Sequence, residues 1–337
     1  MTGGLTDAAR LIRRRRLVLI AAPLLLIAAA AYGLAEGSVR IGLRELWNAL
    51  AGGGDPLHRR ILLDLRLPRV LAGMLVGAAL AAAGALLQGV MRNPLADPGI
   101  IGVSAGGGLA AVLAMVVLPQ FGYLLPVAAF AGAVIASVLI YSFAWDGGSS
   151  PVMIILAGVA VNALLAAVTN GLMVAYSDRV QAVLPWLAGG LNGVGWQRLS
   201  FMAPYALGGL ALSALAIKPA NLLLLGDDSA RLLGQRVELQ RLLLILLSSL
   251  LAGSAVSVAG LVGFVGLVAP HAMRLTIGED YRYLLPASAL SGALLVVVAD
   301  TAARSWFDPV ELPVGVLLAC VGAPFFLILL RKRRRIG

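Results

Sequence analysis

Between Arg69 and Arg92 the chain carries 22 consecutive residues without a charged side chain, inside the stretch RLPRVLAGMLVGAALAAAGALLQGVMRNPLADPGIIGVS from Arg66 to Ser104. At 1.5 Å rise per residue, such a run crosses the ~30 Å hydrocarbon layer as a single helix. Basic residues at both ends fix it there. Gly73, Gly77 and Ala81 recur every fourth residue, which puts small side chains in one row where a neighbouring helix can approach closely. The run closes at Arg92-Asn93-Pro94, with a second break at Asp97-Pro98-Gly99, because proline removes a backbone donor and turns the residue before it away from helix.

The wording of this stretch, RLPR at 66 to 69, RNPLADPG at 92 to 99 and GVSAG at 102 to 106, resembles the permease subunits of ATP-binding-cassette (ABC) importers for iron-siderophores, haem and cobalamin, the FecCD and BtuC type. GFVGLVAPHAMR at 263 to 274, ADTAAR at 299 to 304 and ELPVG at 311 to 315 extend the resemblance from about residue 60 to the end. Several separated motifs in the right order are more specific than any one of them.

Composition agrees with lipid as the solvent. The chain is 60% hydrophobic and 12% charged, with a mean hydropathy of +0.95, far from the globular norm. Cys320 is the single cysteine and lies in an apolar run, so there is no disulfide framework or thiolate cluster. A net charge of +10 could suggest nucleic acid, but the basic residues sit mostly at the ends of apolar runs, which is a topology signal.

The apolar runs divide into ten expected spans, at roughly 17–35, 67–91, 99–118, 123–144, 151–175, 200–217, 241–259, 261–277, 284–303 and 313–330. The chain thus reads as all-α and polytopic, one transmembrane domain. Residues 17–35 also have the build of a signal peptide, but the run is longer than a signal core and more spans follow. Both ends are strongly basic, so both are expected in the cytoplasm, which requires an even number of spans. In this arrangement 17 of the 26 Lys and Arg fall inside and 9 outside, six of the nine being Arg40, Arg44, Arg59, Arg60, Arg66 and Arg69. Residues 36–65 and 176–199 are polar connections on the outer side; 218–240 is one on the inner side. A faint repeat pairs Gly84–Pro94 with Gly260–Pro270, as expected of transporters built from inverted halves.

Polar residues within spans are few. Asn162, Thr169 and Asn170 fall on one stripe; an amide facing lipid would be unsatisfied, so the stripe faces protein or water. Interhelical hydrogen bonding and a pathway wall both fit. Asp300 is the one acid found inside a span, near an end, whereas proton-coupled carriers usually need carboxylates at mid-depth. No GxxxxGK loop exists, and the only lysines are Lys218 and Lys332, so the chain is not expected to hydrolyse ATP. His58 and His271 have no metal-ligand spacing, and neither a metal site nor a catalytic centre is expected. In the inner connection, Asp228 or Ser229 can cap a short helix that Gly234 ends. So short a helix needs a surface to lie on.

The resemblance implies more. It makes the inner segment the dock for the ATPase subunit, through Leu225, Gly226, Ser229, Ala230, Leu233 and Gly234; an ordinary surface loop is the plain alternative. It makes Arg66, Arg69 and Arg304 receivers for acidic residues of a periplasmic or lipid-anchored substrate-binding protein, lipid headgroup contact being the alternative. It implies a homodimer in the bacterial cytoplasmic (inner) membrane with two ATPase subunits, ATP and Mg bound on those partners, no cofactor on this chain and no nucleic acid. The cargo would be a ferric siderophore first, haem or cobalamin next. An ATP-independent secondary transporter and a membrane enzyme are the competing classes.

Overall fold

The computed structural model describes residues 2–37, 39–145, 150–307 and 310–334, the side chains of 2–8, 43, 50 and 328–334 excepted. The expected turns at 146–149 and Asp308-Pro309, and the basic side chains from Arg331 on, lie outside the described residues. Among these residues the chain is helical, with no strand. In order the helices are α1 (Thr2–Ala35), α2 (Leu43–Leu50), α3 (Pro56–Arg60), α4 (Leu67–Val90), α5 (Val103–Val112), α6 (Leu125–Phe143), α7 (Pro151–Ala175), α8 (Val180–Leu187), α9 (Trp196–Ser213), α10 (Ile217–Leu223), α11 (Asp227–Leu232), α12 (Val237–Ala259), α13 (Val265–Ile277), α14 (Tyr281–Ser305) and α15 (Val314–Arg334).

Six stretches are long and apolar enough to cross a membrane, and α9 with α10 makes a seventh, bent by 58°. Three shorter apolar helices, Val103–Val117, Val265–Ile277 and Val314–Leu327, fall where the remaining three spans are expected. Boundaries differ in two places for identifiable reasons. Asp55 accepts from Leu57 N–H at 2.9 Å and Pro56 opens a helix, so the polar connection before α4 is already helical from Pro56 and runs through a π-helical turn, Ile61–Arg66, into α4. The sixth span begins at Trp196 and breaks after Ser213, because Pro219 in the first turn of α10 has no N–H for the Leu215 carbonyl and its ring crowds that oxygen in a continuous helix.

The centre of the bundle is α4: 78% of its most apolar stretch is buried, against 11% for α1 and 17% for α7, which present their apolar side chains outward. Glycines let α4 lie directly on its neighbours. A Cβ placed on Gly77 would sit 2.2 Å from the Gly292 carbonyl oxygen of α14, and one on Gly84 would sit 1.8 Å from that of Gly266 on α13. Within the row of small side chains, Gly77 and Ala81 thus form a close seam with Gly292 of α14, and Gly84, outside that row, forms a second one with α13. The two repeat segments meet at this point, where Gln88 Nε2 donates to the carbonyls of Gly266 and Leu267 at 3.4 Å each.

Between α12 and α13 the chain reverses through Gly260 (φ 65°) and Phe264 (φ 67°). Gly260 is needed twice over, for its left-handed backbone and because a Cβ would lie 2.2 Å from the Trp186 carbonyl oxygen. At 24 residues, α4 is about 36 Å long, and its two ends define two faces. One carries Arg66 and the ends of α1 and α14; the other carries Arg92 and α11.

Candidate partner-docking surfaces

On the first face, the C-terminal end of α1 has carbonyls that no helical N–H can reach. Arg66 Nη1 donates to Leu34 O at 2.8 Å and Ala35 O at 2.9 Å, and its Nη2 to Val39 O. Arg304 donates to Glu36 O at 2.6 Å and to Gly33 O. A cation at a helix C-terminus also complements the helix dipole. Arg66 and Arg304 are buried. Arg69 makes a two-pronged pair with Asp300, Nε to Oδ2 and Nη2 to Oδ1 at 3.0 Å each, and its Nη1 reaches Glu311 at 3.2 Å. Arg304 Nε lies 3.7 Å from Asp300. All three arginines line one cleft of about 430 Å³.

The structure thus brings Arg66, Arg69 and Arg304 together, with donors turned inward onto α1 and Asp300. Sequence reasoning found the three cations but missed their counter-ions, Asp300 and Glu311. The spacing of Asp300 and Arg304, i and i+4 on one helix, was the available signal.

On the opposite face, α11 is a single short helix between two left-handed glycines, Gly226 (φ 98°) and Gly234 (φ 80°). Gly226 occupies the N-cap and Asp227 is the first helical residue, so neither Asp228 nor Ser229 is the cap. The other end closes as expected at Gly234: Gln235 N–H reaches back to Ala230 O at 3.0 Å and Gly234 N–H to Arg231 O at 2.9 Å, the Schellman pattern. Leu225, Leu232 and Leu233 are 58%, 89% and 58% exposed, whereas Ala230 is fully buried. Ala230 is therefore the anchor of this ledge rather than part of its surface. Leu232, which sequence reasoning passed over, is its most exposed leucine.

The elbow joining α4 to α5 lies at the same end. Burial pushes the Asp97 carboxyl above its ordinary range, opposed by the Gly99 N–H that it accepts at 2.9 Å. The pathway candidates are not brought together. Asn162 donates to Gly99 O at 3.0 Å and Thr169 to Leu165 O on its own helix at 2.8 Å, while Asn170 is exposed.

A bundle of about ten apolar segments, with a polar cleft at one end and an exposed leucine ledge at the other, is the build of a membrane permease. The chain belongs to the FecCD transport family, whose description matches residues 24–332. It is 43% identical to the Fe(3+)-citrate import system permease protein YfmE of Bacillus subtilis over 84% of this chain and 85% of that one. With the cobalamin import system permease protein BtuC of Halobacterium salinarum it shares 45% identity over 80% of this chain and 73% of the relative. Among solved structures, a metal-chelate type ABC transporter in an inward-facing conformation superposes with a TM-score of 0.85 at 31% identity, covering 94% of this chain and 99% of the other.

Proposed function

We propose that the chain is the membrane-spanning permease subunit of a binding-protein-dependent ABC importer, working as a homodimer in the bacterial cytoplasmic membrane with both termini inside. Two partner ATPases bind and hydrolyse ATP with Mg beneath it and dock on the α11 ledge. A substrate-binding protein sits above, on the face that carries the cleft of Arg66, Arg69 and Arg304, whose side chains brace that face from within. The observation that carries this reading is the exposed apolar ledge of Leu225, Leu232 and Leu233 beside a buried anchor. An exposed apolar patch on a short helix is costly unless a partner covers it.

A ferric siderophore is the cargo proposed first, with haem and cobalamin as alternatives. Relatives of nearly equal identity import ferric citrate and cobalamin, so overall similarity does not rank the chelates. The exposed amide of Asn170 on the otherwise apolar outer side of α7 supports a second copy, or a water-lined path between copies, against that helix.

Two experiments test the proposal. Proteoliposomes holding the permease, its ATPase and its binding protein are expected to take up a radiolabelled ferric siderophore, haem or cobalamin only with ATP inside. Uptake driven by a proton gradient without the ATPase would instead make the chain a secondary transporter. Replacing both Leu232 and Leu233 by aspartate is expected to weaken ATPase binding more than about tenfold, or ~1.4 kcal/mol, while the detergent melting temperature stays near wild type because both side chains are already exposed. Unchanged co-purification of the ATPase would reject the ledge as the dock.

A further inference from the structure

We propose that Asp227 is the positioning residue that carries movement of α11 into the transmembrane helices, by holding α11 at once to Arg92 beyond the end of α4 and to Arg241 in the first turns of α12. This rests on the reading of α11 as the surface an ATPase loads. Gly226 and Gly234 bracket α11, so backbone continuity transmits force poorly across either end. Side chains must carry it.

Asp227 stands at the junction. Both of its carboxylate oxygens accept from Arg241 Nη2 at 2.9 Å, and Oδ1 lies 3.6 Å from Arg92 Nη2. The Arg241 side chain is 1% exposed, fixed in a helix that packs on α4, α6 and α9. Arg92 has a left-handed backbone (φ 47°), one of two such non-glycine residues among those described. Strain of this kind persists only where the surroundings over-determine it, and it clusters at functional sites. A second strand runs from α11 through Arg231 to Glu238 at 3.1 Å and on to Arg241 at 3.4 Å. Asp227 touches the basic groups at the feet of both α4 and α12. When the ledge tilts, its carboxylate draws both feet together or releases Arg92, whose side chain is 40% exposed and held by the longer contact.

The test uses the complete reconstituted complex. Asp227→Asn keeps the shape and removes the charge; Asp227→Glu keeps the charge. Three quantities are read: ATPase binding to the permease, ATP hydrolysis, and uptake of radiolabelled ferric citrate, ferric hydroxamate, haem and cobalamin offered separately. For Asp227→Asn, binding and hydrolysis are expected within about twofold of wild type while uptake per ATP falls about tenfold, a loss within the usual range of coupling energies. Asp227→Glu recovers most of the loss. Arg92→Gln, at a partly exposed side chain, reproduces it and serves where Asp227→Asn yields no folded complex. Unchanged uptake per ATP in Asp227→Asn and Arg92→Gln overturns the proposal. So does a fall in uptake that merely tracks lost ATPase binding, which would make Asp227 a structural brace. Failure of the docking reading shows separately, as wild-type ATPase binding in the Leu232 and Leu233 double variant.

Discussion

Gly84→Ala is expected to destabilise the permease by about 3 kcal/mol, the upper end of the ordinary cost of overpacking. The added methyl would lie 1.8 Å from the Gly266 carbonyl oxygen, roughly half of a normal contact distance near 3.5 Å. A flexible side chain can rotate away from such a clash, but here both parties are backbone. Relief requires α4 and α13 to part, which also lengthens the hydrogen bonds from Gln88 to Gly266 and Leu267, already 3.4 Å. The melting temperature in detergent should fall by roughly 4 °C for a loss of this size in a chain of 337 residues. Gly171→Ala is the control: a Cβ there meets nothing within 4 Å, and alanine is the better helix former by about 1 kcal/mol. A Gly84→Ala protein that melts with wild type would mean that the seam between α4 and α13 is looser than its geometry requires.

The neighbouring seam of Gly77 and Ala81 against Gly292 of α14 was legible from the sequence because it is local and periodic, whereas Gly84 lies outside the row that was read. Glycine and alanine every fourth residue on an uncharged run declare a close-packed helix face without any knowledge of the partner. The arginine cleft is of another kind. Arg69 and Asp300 are 231 residues apart, and nothing in either neighbourhood announces the other. Placed against the inside-positive rule, the cations were visible as an anomaly, while the inward direction of their donors was not.

The ledge falls between these cases. Its C-terminal bracket at Gly234 was readable, because glycine reaches the left-handed backbone cheaply at a helix end, whereas the start was placed at Asp228 or Ser229 and lies at Gly226. Which of its side chains point outward was not, since six helical residues give too few turns for a periodicity to emerge. Ala230, chosen from motif position, proved to be the buried one, and Leu232 the most exposed of the leucines.

Asp300→Ala is expected to cost about 3–5 kcal/mol, the usual loss when one partner of a buried ion pair is removed. Two arginines depend on that carboxylate. Arg69 donates to it twice at 3.0 Å, and Arg304 Nε lies 3.7 Å away; the Asp300 side chain is only 5% exposed. Without it Arg69 keeps Glu311 alone, and its charge then acts against that of Arg304 with less compensation. A double change separates the pair's worth from the penalty of orphaning one member. Asp300→Leu with Arg69→Met replaces the pair by apolar groups of similar size, and should recover most of the stability because a packed apolar substitute is often neutral or better. Arg304 retains its carbonyl partners at Gly33 and Glu36 in that background. The same cycle decides what the one acid near the end of a span is for. As an ion-pair staple, Asp300 gives a double variant that melts near wild type and still transports with ATP. A double variant that melts normally but has lost uptake with its binding protein still bound would make the carboxylate a participant in transport.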